Sequence, residues 1–228
     1  MVIKRNRAIV ILTIPRNGSS ALGGSLQAMG CDMGKGFFQP ADARNKKGYF
    51  EDMRFRKISN DLTGHRYSLY PVSHIPTEHQ KLISQFLFRN KDKPVWGLKD
   101  TRMVLLWHLL KRSFEELYDV RPIFMVRSWK DVADSLMRHS YTAYGGRLRM
   151  SMAEATRLAG TWNSYLMGCY DLYEGEKFII THYELMHNTE ETLQKVYDYA
   201  FEGFKKHGNG IKRAVEFIDP TLTKGGRE

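Results

Sequence analysis

The residues of this sequence best suited to chemistry begin with a short loop, Pro15-Arg16-Asn17-Gly18-Ser19-Ser20-Ala21, lying between an apolar run and a small-residue stretch. A glycine there lets the backbone turn so that successive N–H groups point inward, and a following helix adds partial positive charge at its N-terminus. Ser19 and Ser20 supply hydroxyl donors, and Arg16 supplies a fixed cation able to make paired hydrogen bonds to phosphate oxygens. Such a loop would hold a phosphate or sulfate group. The strict nucleotide-triphosphatase version needs Gly-Lys-Ser/Thr at its end. Here Ser19 follows Gly18, which counts against a magnesium–ATP reading. The plainer alternative is an ordinary glycine-containing turn capped by Ser19.

A second candidate anion site follows the apolar run Ile123–Val126. Arg127 leaves that run, and Ser135 stands eight residues further on, within the next helical stretch. Taken singly, Arg127 reads as a strand-end ion pair and Ser135 as a solvent-facing helix residue. Taken with the loop, the two can converge on one anion.

These residues resemble the sulfotransferase family, whose donor is 3′-phosphoadenosine 5′-phosphosulfate, and the bacterial-type and tyrosylprotein-type members above all. Family members join a Pro-Lys/Arg-x-Gly-Thr/Ser-Thr/Ser loop after strand one to an Arg…Ser pair of this spacing. Asn45 to Asp52 is similar to an Asn-x-x-Gly-Tyr-Phe-Glu segment of bacterial-type members. Trp96 to Arg102 is similar to their Lys-Asp-Pro-Arg segment, with Thr101 in place of proline, and Thr181 to Leu185 resembles a Tyr-Glu-Glu/Asp-Leu stretch. The resemblance implies that Arg16, Asn17, Gly18, Ser19, Ser20 and Ala21 hold the 5′ phosphosulfate. It implies further that Arg127 and Ser135 hold the 3′ phosphate, and that Tyr183 lies by the adenine. Lys224-Gly225-Gly226-Arg227 echoes a C-terminal segment that touches the 3′ phosphate in cytosolic members, and a basic tail is the competing reading.

Sulfuryl transfer requires acceptor oxygen, sulfur and leaving oxygen in line, with cations near the bridging oxygen. Arg16 and Lys99 are the expected cations; a surface pair of Lys99 with Asp100 is the alternative for the latter. The acceptor hydroxyl also needs a base. Many cytosolic relatives use a histidine in the segment holding Lys99, but here no histidine follows until His108. Other relatives use a glutamate, so Glu51 is the expected base, with Asp52 and Asp100 in reserve. The alternative makes Glu51 a helix N-terminal residue favoured by the dipole. Trp129 stands where it could approach the adenine or simply pack.

The elements that must position these residues follow from periodicity. Ala8–Leu12, Val95–Leu98, Pro122–Val126 and Phe178–Ile180 are short, apolar and rich in β-branched residues, as buried parallel strands are. Between them, helices are expected over Ser20–Met29, Glu51–Leu62, Thr77–Phe88, Met103–Leu117, Asp131–His139 and Asn188–Phe204. Another opens at the Ser151…Glu154 capping box and carries Ala155, Leu158, Trp162, Tyr165, Leu166 and Cys169 on one face. Thr77…Gln80 matches the same box. Alternation of strand and helix predicts a three-layer α/β sandwich with a mainly parallel central sheet, like that of P-loop nucleoside triphosphate hydrolases. Ligands of such folds sit outside the carboxyl ends of the strands.

The 228 residues suit one domain, 1–228, with the part after about 219 as a flexible tail. A net charge of +10, from 35 Lys+Arg against 25 Asp+Glu, favours a polyanionic ligand without naming one. The two cysteines form no framework, and the eight histidines show no metal-ligand spacing, so no metal is expected. The apolar run Ala8–Ile14 is too short to span a membrane, and a cytoplasmic location is expected. The basic residues are dispersed, which disfavours nucleic-acid recognition. Two other functions stay open, a small-molecule kinase of related fold and a nucleotide- or polyanion-binding module without catalysis. The acceptor, a small molecule, glycan or peptide bearing a hydroxyl or amine, would be shaped by the loops at 31–50, 63–76 and 140–150.

Overall fold

β1 (Arg7–Thr13) is buried along its whole length, and the alternation of its side chains explains the layers built around it. Successive strand residues point to opposite faces. Ala8, Val10 and Leu12 enter one apolar cluster, while Ile9 and Ile11 enter another on the far side of the sheet. In the computed structural model of the protein, which describes residues 5–34, 41–42, 45–64, 68–143, 150–205 and 208–219, β1 pairs on both sides. Its neighbours are β2 (Val95–Lys99) and β3 (Asp119–Val126), and β4 (Phe178–Thr181) pairs with β3. All three pairings are parallel, in the order β2-β1-β3-β4. The expected α/β sandwich with a central parallel sheet is therefore the observed architecture.

One face is covered by α2 (Met53–Thr63), α3 (Thr77–Arg89), α4 (Met103–Leu117), α5 (Trp129–Ala143) and α6 (Met152–Asp171). The other carries α1 (Ser19–Met29), α7 (His182–His187), α8 (Thr189–Phe201) and α9 (Gly210–Phe217). Cys31 belongs to the second cluster and Cys169 packs against the first, so the sheet separates the two free thiols. No helix among the described residues is long and apolar enough to cross a membrane.

Several expected boundaries shift for local reasons. Ser151 and Glu154 do form a reciprocal capping box at the start of α6. Thr77 does not cap α3. Pro76 takes the cap position, and Gln80 Nε2 donates to the Ile75 carbonyl at 2.8 Å instead. α2 starts two residues later than expected because the Asp52 side chain accepts from Arg54 N, leaving Glu51 outside the helix. α7 and α9 went unpredicted. Lys224 to Arg227 and parts of the three acceptor-side loops lie outside the described residues.

Candidate functional site

The carboxyl ends of the four strands share one edge of the sheet. β1 stops at Thr13, and the chain turns through two left-handed residues, Arg16 (φ 71°) and Gly18 (φ 84°), into α1. Gly18 occupies the N-cap position of α1 and no side chain caps it, so Ser19 does not serve as a cap. Among the described residues, no side chain caps the start of α1, as anion binding at a helix start requires. Ala21 N–H closes the turn onto the Gly18 carbonyl at 2.8 Å. Buried Asn17 donates from Nδ2 to the Met125 carbonyl at 2.7 Å, lashing the loop to β3. Ser20 Oγ accepts from Asn45 Nδ2 at 3.1 Å and donates to the Tyr49 carbonyl at 3.4 Å. The loop is therefore braced by its two neighbouring segments.

Arg16 Nε donates to Ser135 Oγ on α5 at 3.0 Å, and Arg127 Nη1 donates to the Arg16 carbonyl at 3.2 Å. The loop cation and the Arg…Ser pair, read from the sequence as two separate anion sites, form one hydrogen-bonded group. The Arg127 side chain is only 10% exposed; its nearest carboxylate is Asp131, with Nε–Oδ2 at 3.8 Å. Among the described residues, Arg127 Nε is buried without a hydrogen-bond partner. Burial draws its pKa down from the ordinary guanidinium value, with Asp131 opposing, but a guanidinium stays charged. A buried charge with an unused donor costs free energy unless an acceptor arrives. This donor set therefore fits an anionic group such as a phosphate.

At the end of β2, Lys99 is buried and donates to Glu51 Oε1 at 2.8 Å and to the Tyr49 carbonyl at 3.0 Å. The alternative surface pair of Lys99 with Asp100 is not formed. Asp100 is engaged by Arg102 Nη2 at 2.7 Å, Arg102 N at 2.9 Å and Ser59 Oγ at 2.6 Å. Asp52 is spent on the α2 cap and on Arg54. Arg56 Nε stands 3.5 Å from Glu51 Oε2. Burial pushes the Glu51 carboxyl up. The Lys99 ammonium and its hydrogen bond more than offset this, with Arg102 and Arg56 behind them, and hold it below the usual carboxylate value.

Glu51 follows Phe50, a non-glycine residue at φ 53°. That conformation persists because packing dictates it. Phe50 lies over Gly23, where an added Cβ would meet its Cβ at 3.1 Å, and meets the Phe217 ring edge-on at 5.4 Å. Phe217 in turn fills the space over Gly24, and Lys47 Nζ donates to its carbonyl.

Tyr183 does not enter this group. It is 66% exposed and stacks on His187 with ring centroids 4.3 Å apart. Trp129 is 42% exposed beside Lys130. His182, unassigned from the sequence, stands at the end of β4 against Gly18; a Cβ there would lie 2.6 Å from His182 Cδ2. The sequence signal for this placement is the Thr181…Glu184 capping box, formed in full at the start of α7. Among the described residues, no cluster of three His, Cys, Asp or Glu is arranged to hold a metal ion.

No protein-family model matches the chain, and no curated protein sequence does. Solved structures do. The sulfotransferase domain from the curacin biosynthetic pathway aligns with 98% of this chain and 82% of its own length, at TM-score 0.58 and 16% identity. Sulfotransferase STF9 from Mycobacterium avium aligns with 95% of this chain and 68% of its own, at TM-score 0.58 and 14% identity. Mouse sulfotransferase SULT7A1, solved with PAP, aligns with 99% of this chain and 69% of its own, at TM-score 0.53 and 10% identity. By its fold, the chain is similar to the sulfotransferases.

Proposed function

We propose that the protein is a sulfotransferase that takes a sulfuryl group from 3′-phosphoadenosine 5′-phosphosulfate and passes it in line to a hydroxyl or amine acceptor. The observation that carries this reading is the hydrogen-bonded group Ser135–Arg16–Arg127, which joins two strand ends and includes a buried guanidinium donor with no hydrogen-bond partner among the described residues. The solved neighbour holding PAP adds support for the donor class.

In this reading, the loop from Arg16 to Ala21 binds the 5′ end of the donor, and Arg127 with Ser135 binds the 3′ phosphate. Lys99 spends two of its three N–H groups on Glu51 and the Tyr49 carbonyl. The third faces the leaving oxygen, where with Arg16 it offsets the charge that develops as the sulfur–oxygen bond breaks. Glu51, held ionised, takes the proton from the acceptor as the acceptor oxygen or nitrogen bonds to sulfur. The free nucleotide bisphosphate then departs. Tyr183 sits by the adenine only if the exposed Tyr183–His187 stack forms one wall of that subsite. The two free thiols on opposite faces of the sheet suit a cytoplasmic protein.

Calorimetry with 3′,5′-bisphosphoadenosine tests the donor class. The wild type binds, and Arg16→Ala and Arg127→Ala each lose about 10- to 100-fold in affinity, as befits charge-assisted hydrogen bonds. No binding by the wild type, or preference for ATP–magnesium, overturns the proposal.

A further inference from the structure

His182 is a titratable group at this edge of the sheet to which no role has yet been given. β3 and β4 run parallel with Val126 opposite Thr181, so the next residues, Arg127 and His182, emerge side by side. Both address the phosphate loop. Arg127 donates to the Arg16 carbonyl, and the His182 ring packs on Gly18, with its Nε2 3.3 Å from where a Cβ would stand. Neither ring nitrogen of His182 has a hydrogen-bond partner among the described residues. The charged or titratable groups facing it are Arg127, from the end of β3, and His187, from α7. The loop side offers Gly18, and the nearby Glu184 is committed to the Thr181 cap.

We propose that His182 is part of the donor site, that it donates a hydrogen bond to a phosphate or phosphosulfate oxygen beside Arg127, and that it takes up a proton as the nucleotide binds. The inference rests on the donor reading above and adds a residue and a linkage to it. In the free protein the ring is neutral. Burial, then Arg127, then His187 push its pKa down to about 4. An anion brought between two basic groups reverses the local sign, and an opposite charge within about 4–6 Å favours the protonated form by up to about 3 pKa units, enough to carry the ring past pH 6. A proton absent from the free protein near pH 6 is then bound in the complex, and donor affinity rises as pH falls.

Calorimetry of 3′,5′-bisphosphoadenosine binding, run from pH 5.5 to 8.5 in buffers of different ionisation enthalpy, tests this in the wild type and in His182→Gln. The nucleotide's own phosphate ionisations are common to both proteins and cancel in the difference. The expected result is that His182→Gln binds about tenfold more weakly at pH 6, that the gap closes by pH 8.5, and that the wild type takes up more protons. Equal affinity and equal proton uptake overturn the inference and leave the donor reading standing. An equal loss at every pH also overturns it, because it marks a packing role on Gly18. A wild type that binds no nucleotide removes the donor reading and this inference together. Should His182→Gln fail to fold, NMR titration of the wild-type histidines decides. One ring that stays neutral above pH 5 in the free protein must titrate above pH 6 in the complex, and its failure to do so overturns the proposal.

Discussion

Arg16 Nε and Ser135 Oγ are joined by a 3.0 Å hydrogen bond across 119 residues of sequence. The loop after β1 and the helix after β3 are thereby set as one unit before any ligand arrives. Groups that act through a shared bond do not contribute independently. Arg16→Ala and Ser135→Ala should each weaken 3′,5′-bisphosphoadenosine binding. The double variant should be weaker than the wild type by less than the product of the two single-variant factors. A double-mutant cycle by calorimetry measures the coupling, and strict additivity would show that the pair is not shared in the complex.

Gly18 and Gly48 both adopt positive φ, at 84° and 89°, but only Gly18 is also crowded. A Cβ at Gly18 meets His182 at 2.6 Å, whereas one at Gly48 meets nothing within 4 Å. Gly48→Ala should therefore cost only backbone strain, about 1–2 kcal/mol. Gly18→Ala adds a steric clash and should cost about 2–4 kcal/mol while impairing nucleotide binding. Urea denaturation of both variants, compared at pH 7, gives the difference.

The Glu51–Lys99 pair has a defined pH signature. Because the folded carboxyl lies below its ordinary value, the pair contributes stability at every pH above the unfolded glutamate value, near 4.5. That contribution is lost as pH falls through the lower folded value. Glu51→Gln should flatten this acid limb and lower stability at pH 7 by about 1–3 kcal/mol, since it leaves a buried ammonium without its counter-charge. It should bind the nucleotide bisphosphate yet lose sulfuryl transfer. Near-normal turnover in a folded, donor-binding Glu51→Gln protein eliminates Glu51 as the base.

Asp100, which the sequence also allowed as a base, is enclosed by Arg102 and Ser59 and is 1% exposed. Removing one partner of such a buried pair costs about 3–5 kcal/mol. Asp100→Ala should therefore lower the thermal midpoint sharply. In whatever fraction stays folded, turnover per nucleotide-binding site should be retained. A stable Asp100→Ala protein with no turnover would reverse this assignment.

The strands and the loop between β1 and α1 were legible because both rest on local chemistry, an apolar β-branched run and a glycine-bearing turn. The partners of the site residues were not legible, because they are set by register. Lys99 meets Glu51 rather than its chain neighbour Asp100, since β2 ends beside the 45–51 segment while Ser59 and Arg102 claim the aspartate. Glu51 was read into a helix that Asp52 in fact caps. His182 drew no assignment from the sequence, although its contact with Gly18 follows once β4 is placed next to β3. α9 eluded the reading because it is eight residues long and its start has no side-chain cap.

Phe217 and Lys47, which meet beside Phe50, are 170 residues apart in sequence. The backbone that presents Glu51 thus takes its shape from a helix synthesised far later. During translation, the 45–51 segment lacks the ring that fixes Phe50 in its unfavourable conformation. β1 and the loop after it are made early, but the packing that holds Phe50 next to Glu51 needs α9, whose Phe217 fills the space over Gly24. A nascent chain stalled before α9 would acquire the half of this edge that carries Arg16 ahead of the half that carries Glu51.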